Sequence, residues 1–156
     1  MPNSWKGIIA GFCATLVLSA LIVFFHATNT LTELDIVGHI DKLGSIARTA
    51  AWVDHFIVGT LLWGPIFSGY EATSLAGRPR WIKGLSFGVI AWLLMMVIFM
   101  PVIGAGLFGW RLGLVEPIGM LVLHLIYGLV LGVVFDLLDR RYPAKSVLPA
   151  SFAADN

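Results

Sequence analysis

Long apolar runs alternate with short polar segments along the chain. An α-helix needs about 20 predominantly apolar residues to cross the hydrocarbon core of a bilayer. Only helices and closed barrels satisfy their backbone hydrogen bonds in lipid, and runs of this length are too continuous for barrel strands. The pattern therefore predicts four transmembrane helices, at about residues 7–27, 50–70, 84–103 and 117–138.

The composition also indicates an integral membrane protein. Of the 156 residues, 58% are hydrophobic and 12% are charged, and the mean hydropathy is +0.90. Soluble domains carry about 25% charged residues, so this chain has too little polar surface to cover a globule in water. The single cysteine, Cys13, excludes an intramolecular disulfide.

We expect one four-helix domain over residues 1–142 and a short polar cytoplasmic tail over residues 143–156. Residues 31–46 place apolar side chains near helical spacing with acids between them, which predicts an amphipathic outer loop on the membrane surface. Its apolar positions are Leu34, Val37, Ile40 and Leu43. Pro65 should kink the second helix, and Pro101 should end the third, because proline lacks an amide proton.

Basic residues predict the orientation, since they concentrate on the cytoplasmic side of a membrane. One side holds seven of them: Lys6, Arg78, Arg80, Lys83, Arg140, Arg141 and Lys145. The other side holds three: Lys42, Arg48 and Arg111. Both termini are therefore expected in the cytoplasm of a bacterium whose inner membrane the chain spans several times.

Two segments of the first half recur in the second half. At an offset of 77 residues, the set Lys6, Gly7, Gly11, Ala14 and Leu16 matches Lys83, Gly84, Gly88, Ala91 and Leu93. At an offset of 69 residues, the set His55, Ile57, Gly59 and Leu62 matches His124, Ile126, Gly128 and Leu131. The paired Lys-Gly and the paired histidine indicate a tandem duplication of a two-helix hairpin.

Each hairpin has an even number of spans, so both insert in the same direction. Such parallel repeats are related by an axis along the membrane normal. The predicted fold is an all-α integral membrane four-helix bundle with this pseudo-twofold axis. His55 and His124 would then lie at matching depths.

The histidine pair is the main candidate site, because ionisable groups inside a membrane are costly and are functional candidates. In one interpretation, His55 and His124 are axial ligands of a b-type haem. Gly59 and Gly128, each four residues from a histidine, would leave room for the flat macrocycle. No C-x-x-C-H motif is present for covalent haem attachment.

Two other interpretations of the pair stay open. His55 and His124 could bind a metal such as copper, with help from a methionine of the third helix, Met95, Met96 or Met100. Alternatively, both imidazoles are neutral and hydrogen-bonded to neighbouring helices as packing. Asp54 is a further polar residue within a span, with the interface or an ion site as its alternatives. His26 is expected at the interface and His39 in solvent.

Three segments, AWVDHFIVGTLLWGPIF, FGVIAWLLMMVIFMPVIGAGLFG and LHLIYGLVLGVVF, resemble a family of small four-span bacterial inner-membrane proteins of unknown function. The distinctive pieces are Trp52-x2-His55-Phe56-x2-Gly59-Thr60, Met96-x3-Met100-Pro101 and Leu123-His124-x2-Tyr127-Gly128. The resemblance covers most of residues 5–138. It implies four spans and no established activity.

The expected function is that of a noncatalytic accessory subunit of a membrane redox or respiratory assembly. His55 and His124 would hold haem or line a contact with a quinone or a partner. The alternatives are a small transporter or channel for an ion or small solute, and a structural assembly factor without a cofactor. Expected partners are the bilayer and either a larger complex or a second copy. The chain has no basic aromatic surface for nucleic acid, and no phosphate-loop or zinc-protease motif.

Overall fold

The computed structural model describes residues 1–28 and 45–143, which form helices joined by short connections. Helix α1 is Asn3–Ala27 and helix α4 is Val115–Arg141. Helix α2 comprises Ser45–Ile57, Val58–Leu62 and Trp63–Thr73. Helix α3 comprises Arg80–Leu94, Met95–Phe99 and Met100–Val102. A 3₁₀ turn, Leu107–Leu112, precedes α4.

Four of the described segments are long and apolar enough to cross a membrane, which confirms the predicted number of spans. They are Asn3–Ala27, Arg48–Thr73, Arg80–Val102 and Val115–Arg141. The described residues contain no strand, so the all-α helical bundle is confirmed as well. The predicted amphipathic segment lies almost entirely outside the described residues, as does the C-terminal tail.

Each of two spans contains a π-helical turn a short distance before a proline. Val58–Leu62 precedes Pro65, and Met95–Phe99 lies before Pro101. Pro65 cannot donate to the Leu61 carbonyl as an α-helix requires, and Pro101 removes the equivalent donor in α3. In both helices the carbonyl that loses its donor lies within the π-helical turn. The irregularity expected at Pro65 is therefore a widened turn on its N-terminal side, and α3 ends one residue after Pro101, as predicted.

Glycines bring the two helices of each hairpin into backbone contact. A Cβ atom added to Gly7 would overlap the carbonyl of Gly64, and one added to Gly84 would overlap the carbonyl of Gly128. Lipid supplies no hydrophobic drive for helix association, so helices in a membrane depend on close packing through small residues. Glycines therefore close the contacts between α1 and α2 and between α3 and α4.

An aromatic cluster joins α2, α3 and α4. The ring of Phe67 lies 5.3 Å from that of Phe87 and 5.5 Å from that of Phe135, measured between centroids. Trp63 and Tyr70 pack against Phe87 at 5.6 and 5.5 Å. Phe67, Phe87 and Phe135 are almost completely buried. We call the end of the bundle nearest this cluster the turn end; it holds the start of α1, the α2–α3 connection and the end of α4.

The opposite end, which we call the loop end, is packed differently in the two hairpins, as far as residues 1–28 and 45–143 show. Between α3 and α4, Trp92 Nε1 donates to the Pro117 carbonyl at 2.9 Å, and Phe108 packs against Trp92. Between α1 and α2 lies an apolar groove of about 610 Å³, lined mainly by Leu16, Val23, Phe24 and Trp52. Among the described residues, the last buried position of α1 is Leu18 and the first buried position of α2 is Gly59, although Leu21, Ile22 and Phe25 still pack against the core.

Candidate functional site

An ion-pair network occupies the turn end, with Arg80 at its centre. Arg80 donates from Nε to Glu71 at 2.6 Å, from Nη1 to Asp136 at 3.0 Å and from Nη2 to Asp139 at 2.6 Å. Its guanidinium also lies 5.9 Å from the centroid of the Phe135 ring. A single side chain therefore links α3 to both α2 and α4, directly beside the aromatic cluster.

Lys6 connects α1 to the same network. Its side chain has no exposed surface, and its ammonium group pairs with Asp139 and donates to the Asn3 side chain at 3.1 Å. Removing an ammonium group from water costs several kcal/mol unless a partner compensates for the loss of hydration. The position of Lys6 thus depends on the carboxylate of Asp139. We call the five charged residues Lys6, Glu71, Arg80, Asp136 and Asp139 the turn-end network.

Lys83 of α3 makes a related contact with α2. Its ammonium group donates to the backbone carbonyl of Glu71 at 2.6 Å, and the side chain is 8% exposed. From the sequence, Lys6, Arg80 and Lys83 predicted the orientation, and Lys6 and Lys83 also indicated the repeat, but the ion-pair network was missed. The sequence did carry a signal for the network, because residues of opposite charge are expected at one depth. Glu71 and Asp139 lie at the ends of α2 and α4, and the three cations lie at the starts of α1 and α3.

A hydrogen bond between the hairpins is formed at the π-helical turn of α2. The hydroxyl of Tyr127 donates to the carbonyl of Gly59 at 2.6 Å. Thr15 of α1 faces the same glycine, and its own hydroxyl donates to the Gly11 carbonyl at 2.8 Å. These contacts join α1, α2 and α4 near the middle of the bundle.

His124 has one ring nitrogen engaged by its own helix. Nδ1 lies 2.8 Å from the carbonyl oxygen of Met120. A carbonyl oxygen only accepts, so Nδ1 carries the proton and donates. In the neutral ring, Nε2 then keeps a lone pair that can accept a hydrogen bond or ligate a metal.

His55 has a buried ring nitrogen, Nε2, that makes no hydrogen bond within the described part of the chain. Its ring packs edge to face with Trp52 and Phe56, at centroid distances of 5.7 and 5.9 Å. His55 lies about one helical turn from Gly59, and His124 lies about one turn from Tyr127, whose hydroxyl donates to the Gly59 carbonyl, so both histidines lie on the loop-end side of the same contact between α2 and α4. Further along α2, the hydroxyl of Thr60 is also buried without a partner among the described residues. Buried polar atoms are usually paired, so these two call for an explanation such as a ligand.

The glycines assigned to a haem site face neighbouring helices. A Cβ atom on Gly59 would overlap the hydroxyl of Thr15, and one on Gly128 would overlap the carbonyl of Gly84. The space beside both glycines is therefore already filled by the protein. Close helix packing accounts for glycine at these positions without a macrocycle.

The remaining predicted residues are dispersed. Met96 and Met100 are buried in the core, and Met95 packs against it. Asp54 is exposed on the surface of α2, and His26 is exposed at the end of α1. Within residues 1–28 and 45–143, no three His, Cys, Asp or Glu side chains are grouped so that they could hold a metal ion. His39 lies outside the described residues.

The family comparison covers the whole of this arrangement. A profile of the DUF6789 family, described as a family of unknown function, matches residues 1–146, which include all four helices, the turn-end network and the two histidines of the candidate site. No curated protein and no solved structure matches the chain. The resemblance to a family of unknown function is confirmed, and the chain belongs to the DUF6789 family.

Proposed function

We propose that the protein is a noncatalytic accessory subunit of a membrane redox or respiratory assembly, with His55 and His124 as its functional centre. The buried and unpaired Nε2 atom of His55 carries the proposal. Ionisable residues inside membrane spans are expensive, and those retained there serve function by default. A free imidazole nitrogen is suited to ligate iron or to hydrogen-bond a quinone or a partner side chain.

The haem version of this proposal has one supporting and one opposing feature. Two nearby imidazoles suit the axial positions of a b-type haem, and His124 keeps Nε2 available because Nδ1 is bonded to Met120. However, a macrocycle could not lie against Gly59 or Gly128, because Thr15 and Gly84 fill those places. A contact with a quinone or a partner needs no such space, and the geometry favours it.

An absorption spectrum of the protein purified from native membranes tests the haem version. A Soret band that disappears in both His55→Ala and His124→Ala would establish haem ligation by the pair. His26→Ala is the matched control, since His26 lies in a span but at the exposed end of α1. A wild-type protein without the band, or a band that survives both substitutions, removes haem from the proposal.

Co-purification from native membranes tests the accessory role. We expect a larger complex with redox subunits to accompany the protein, and we expect His55→Ala to weaken its activity or its assembly. A complex that assembles and works normally in the double histidine variant would instead indicate a structural assembly factor. A protein isolated only alone, or only as a homodimer, would contradict the accessory role.

A small transporter or channel is the second candidate, and the contrast between the two ends of the bundle favours it. The turn-end network and the ring of Phe67 close the interior at one end, whereas residues 19–28 of α1 and the described residues 45–58 of α2 include no buried position at the other. A pathway held closed at one end would have this form. A solute flux in proteoliposomes that Asp54→Asn abolishes would support transport, and the absence of flux for ions and small polar solutes would remove it.

We further propose that the turn end faces the cytoplasm of a bacterial inner membrane, and that the hairpins arose by duplication. The excess of basic residues at this end supports the orientation. A π-helical turn adds one residue to a helix. In agreement with an added residue in α2, the offset changes from 69 to 68 beyond Val58–Leu62, so that Gly64, Phe67 and Glu71 match Gly132, Phe135 and Asp139. Labelling of single cysteines at Ser4 and Gly113 with an impermeant reagent tests the orientation.

A further inference from the structure

The connection between α3 and α4, residues 103–114, is apolar and yet largely exposed. Leu107, Trp110 and Leu114 have exposed fractions of 58%, 72% and 64%. Arg111 is the one charged residue of the connection. Contiguous exposed apolar side chains mark a surface that contacts something other than water.

The connection folds back beside α3 instead of extending beyond the helix ends. Trp92 lies ten residues, or about 15 Å, before the end of α3. Its ring nevertheless packs against Phe108 at 5.8 Å, and its Nε1 atom donates to the Pro117 carbonyl at 2.9 Å. Gly109 is buried, and a Cβ atom there would lie 3.6 Å from the Glu116 side chain. The chain therefore turns back towards the middle of the bundle and runs beside the last turns of α3.

The charged residues at the turn end give the depth of the connection. The hydrocarbon core of a bilayer takes about 20 helical residues, or about 30 Å. Counted from Lys83 in α3, this length ends near Ile103, and counted back from Asp136 in α4 it ends near Glu116. Both counts place residues 103–114 at the boundary between hydrocarbon and headgroups on the loop-end side.

The backbone of the connection is bonded within the chain, as a lipid environment requires. The amide of Ala105 donates to the Met100 carbonyl at 2.9 Å, and the amide of Arg111 donates to the Ala105 carbonyl at 3.1 Å. The Arg111 guanidinium donates from Nη1 to the Gly104 carbonyl at 3.0 Å. Among residues 1–28 and 45–143, no carboxylate forms an ion pair with Arg111. Its charge and its Nε and Nη2 donors are therefore available to an anion.

We infer that residues 103–114 lie in the loop-end leaflet of the bilayer, with their exposed apolar side chains among acyl chains and the Arg111 guanidinium on a phospholipid phosphate. The surface of this loop is continuous with the lipid-facing surface of the spans, because Val102 and Ile118 on either side of it are exposed. Indole rings concentrate at this level of a membrane, and arginine pairs well with phosphate. Arg111 and Gly113 stay at the level of the headgroups. The inference is independent of the proposed function.

Spin labelling of the protein in phospholipid nanodiscs tests the position of the loop. Labels are attached to single cysteines at Leu107, Trp110 and Leu114 in a Cys13→Ala background. Power saturation then compares the accessibility of each label to oxygen, which partitions into lipid, with its accessibility to a water-soluble nickel chelate. We expect oxygen to dominate at all three positions. Arg78, exposed in the α2–α3 connection, is the matched control, and the nickel chelate should dominate there.

The other results of this measurement would overturn the inference. Dominance of the nickel chelate at the three loop positions would place the loop in water. Shielding of the labels from both probes would show that protein, either a partner or a second copy, covers the loop. Size-exclusion profiles verify that each labelled protein is folded.

Solid-state NMR tests the contact between Arg111 and phosphate. The protein carries ¹³C at the arginine Cζ atoms, and the nanodiscs are kept in a buffer without phosphate, so that lipid is the source of ³¹P. The difference between the wild-type and Arg111→Gln spectra isolates the Cζ signal of Arg111. We expect lipid ³¹P to dephase this signal. An Arg111 signal without dephasing would overturn the phosphate contact.

Discussion

The two hairpins are held together by the same device, yet they differ in how far that contact extends. Between α3 and α4, Gly84 and Gly88 lie against the backbone of the partner helix, and buried residues continue to Met100 and Glu116. Between α1 and α2, the glycine contacts are equally close, but the buried positions stop at Leu18 and Gly59. Among the described residues, buried positions thus extend along the whole second hairpin but lie mainly in the turn-end half of the first.

The polar groups follow the same division. The turn-end network lies where all four helices are packed, and each of its charges is held by partners on other helices. His55, whose Nε2 atom is unpaired, lies one turn on the loop-end side of Gly59, the first buried position of α2 among its described residues. Regions that bind ligands or move are drawn from the less stable parts of a structure. The binding function that we propose for His55 would therefore lie in the loop-end half of the first hairpin, which has no buried position among its described residues.

The largest expected effect comes from the glycine contacts. In Gly84→Ala, the new methyl group meets the Gly128 carbonyl, and we expect a loss of about 3 kcal/mol in the free energy of unfolding. Gly7→Ala should lose less, because fewer buried positions adjoin the contact between α1 and α2 than the contact between α3 and α4. Unfolding in mixed detergent and SDS measures both. Gly69→Ala is the control, since a Cβ atom there meets nothing within 4 Å, and equal midpoints for all three variants would contradict the difference between the hairpins.

A smaller loss is expected when the first hairpin is detached from the turn-end network. In Lys6→Met, Asp139 keeps Arg80 as a cationic partner. We expect the free energy of unfolding to fall by about 2 kcal/mol. The loss is smaller than for a fully buried ion pair because Asp139 is 25% exposed. Arg140→Met removes a pair that is 75% exposed on the arginine side, and should change stability by less than about 0.5 kcal/mol. Added salt should weaken only the Arg140 pair measurably.

The hydrogen bond between the hairpins should contribute less again. Tyr127→Phe removes the donor from the buried Gly59 carbonyl, at an expected cost of about 1 kcal/mol. Tyr142→Phe is the control, because that ring is exposed at the end of α4. The same unfolding titration measures both variants. A Tyr127→Phe protein as stable as the control would show that the π-helical turn does not need this donor.

The last prediction requires no substitution. In nanodiscs, backbone amides of residues 48–57 should exchange with deuterium faster than those of residues 115–126, although both stretches lie at the loop end. The reason is that residues 48–57 have no buried position among their described side chains. We expect at least about a tenfold difference in rate, which corresponds to about 1.4 kcal/mol of opening free energy. Equal rates would mean that the first hairpin is closed in the membrane.

Some features of the fold follow from the sequence alone, and others do not. The apolar runs predicted all four spans. Pro65 predicted a kink and Pro101 predicted a helix end, but neither predicted a π-helical turn. The turn-end network was missed because a charge that flanks a span is read as a signal of orientation. Its pairing depends on which face of α4 carries Asp136 and Asp139, and that follows from helix rotation.

The histidine centre shows the same limit. The repeat predicted that His55 and His124 would lie at one depth, but it assigned Gly59 and Gly128 to a cofactor. Thr15 and Gly84 occupy those positions, and they belong to helices distant in the chain. A sequence pattern records that a residue is small, and it does not record what lies against it.

The order of apolar and polar residues was sufficient for the membrane class and the number of helices, because the cost of exposing backbone groups to lipid acts on each segment separately. The pairing of charges at the turn end, the hydrogen bond from Tyr127 to Gly59 and the unpaired nitrogen of His55 required the folded chain. Each depends on the relative rotation and depth of separate helices, which are properties of the packed bundle and of no single segment.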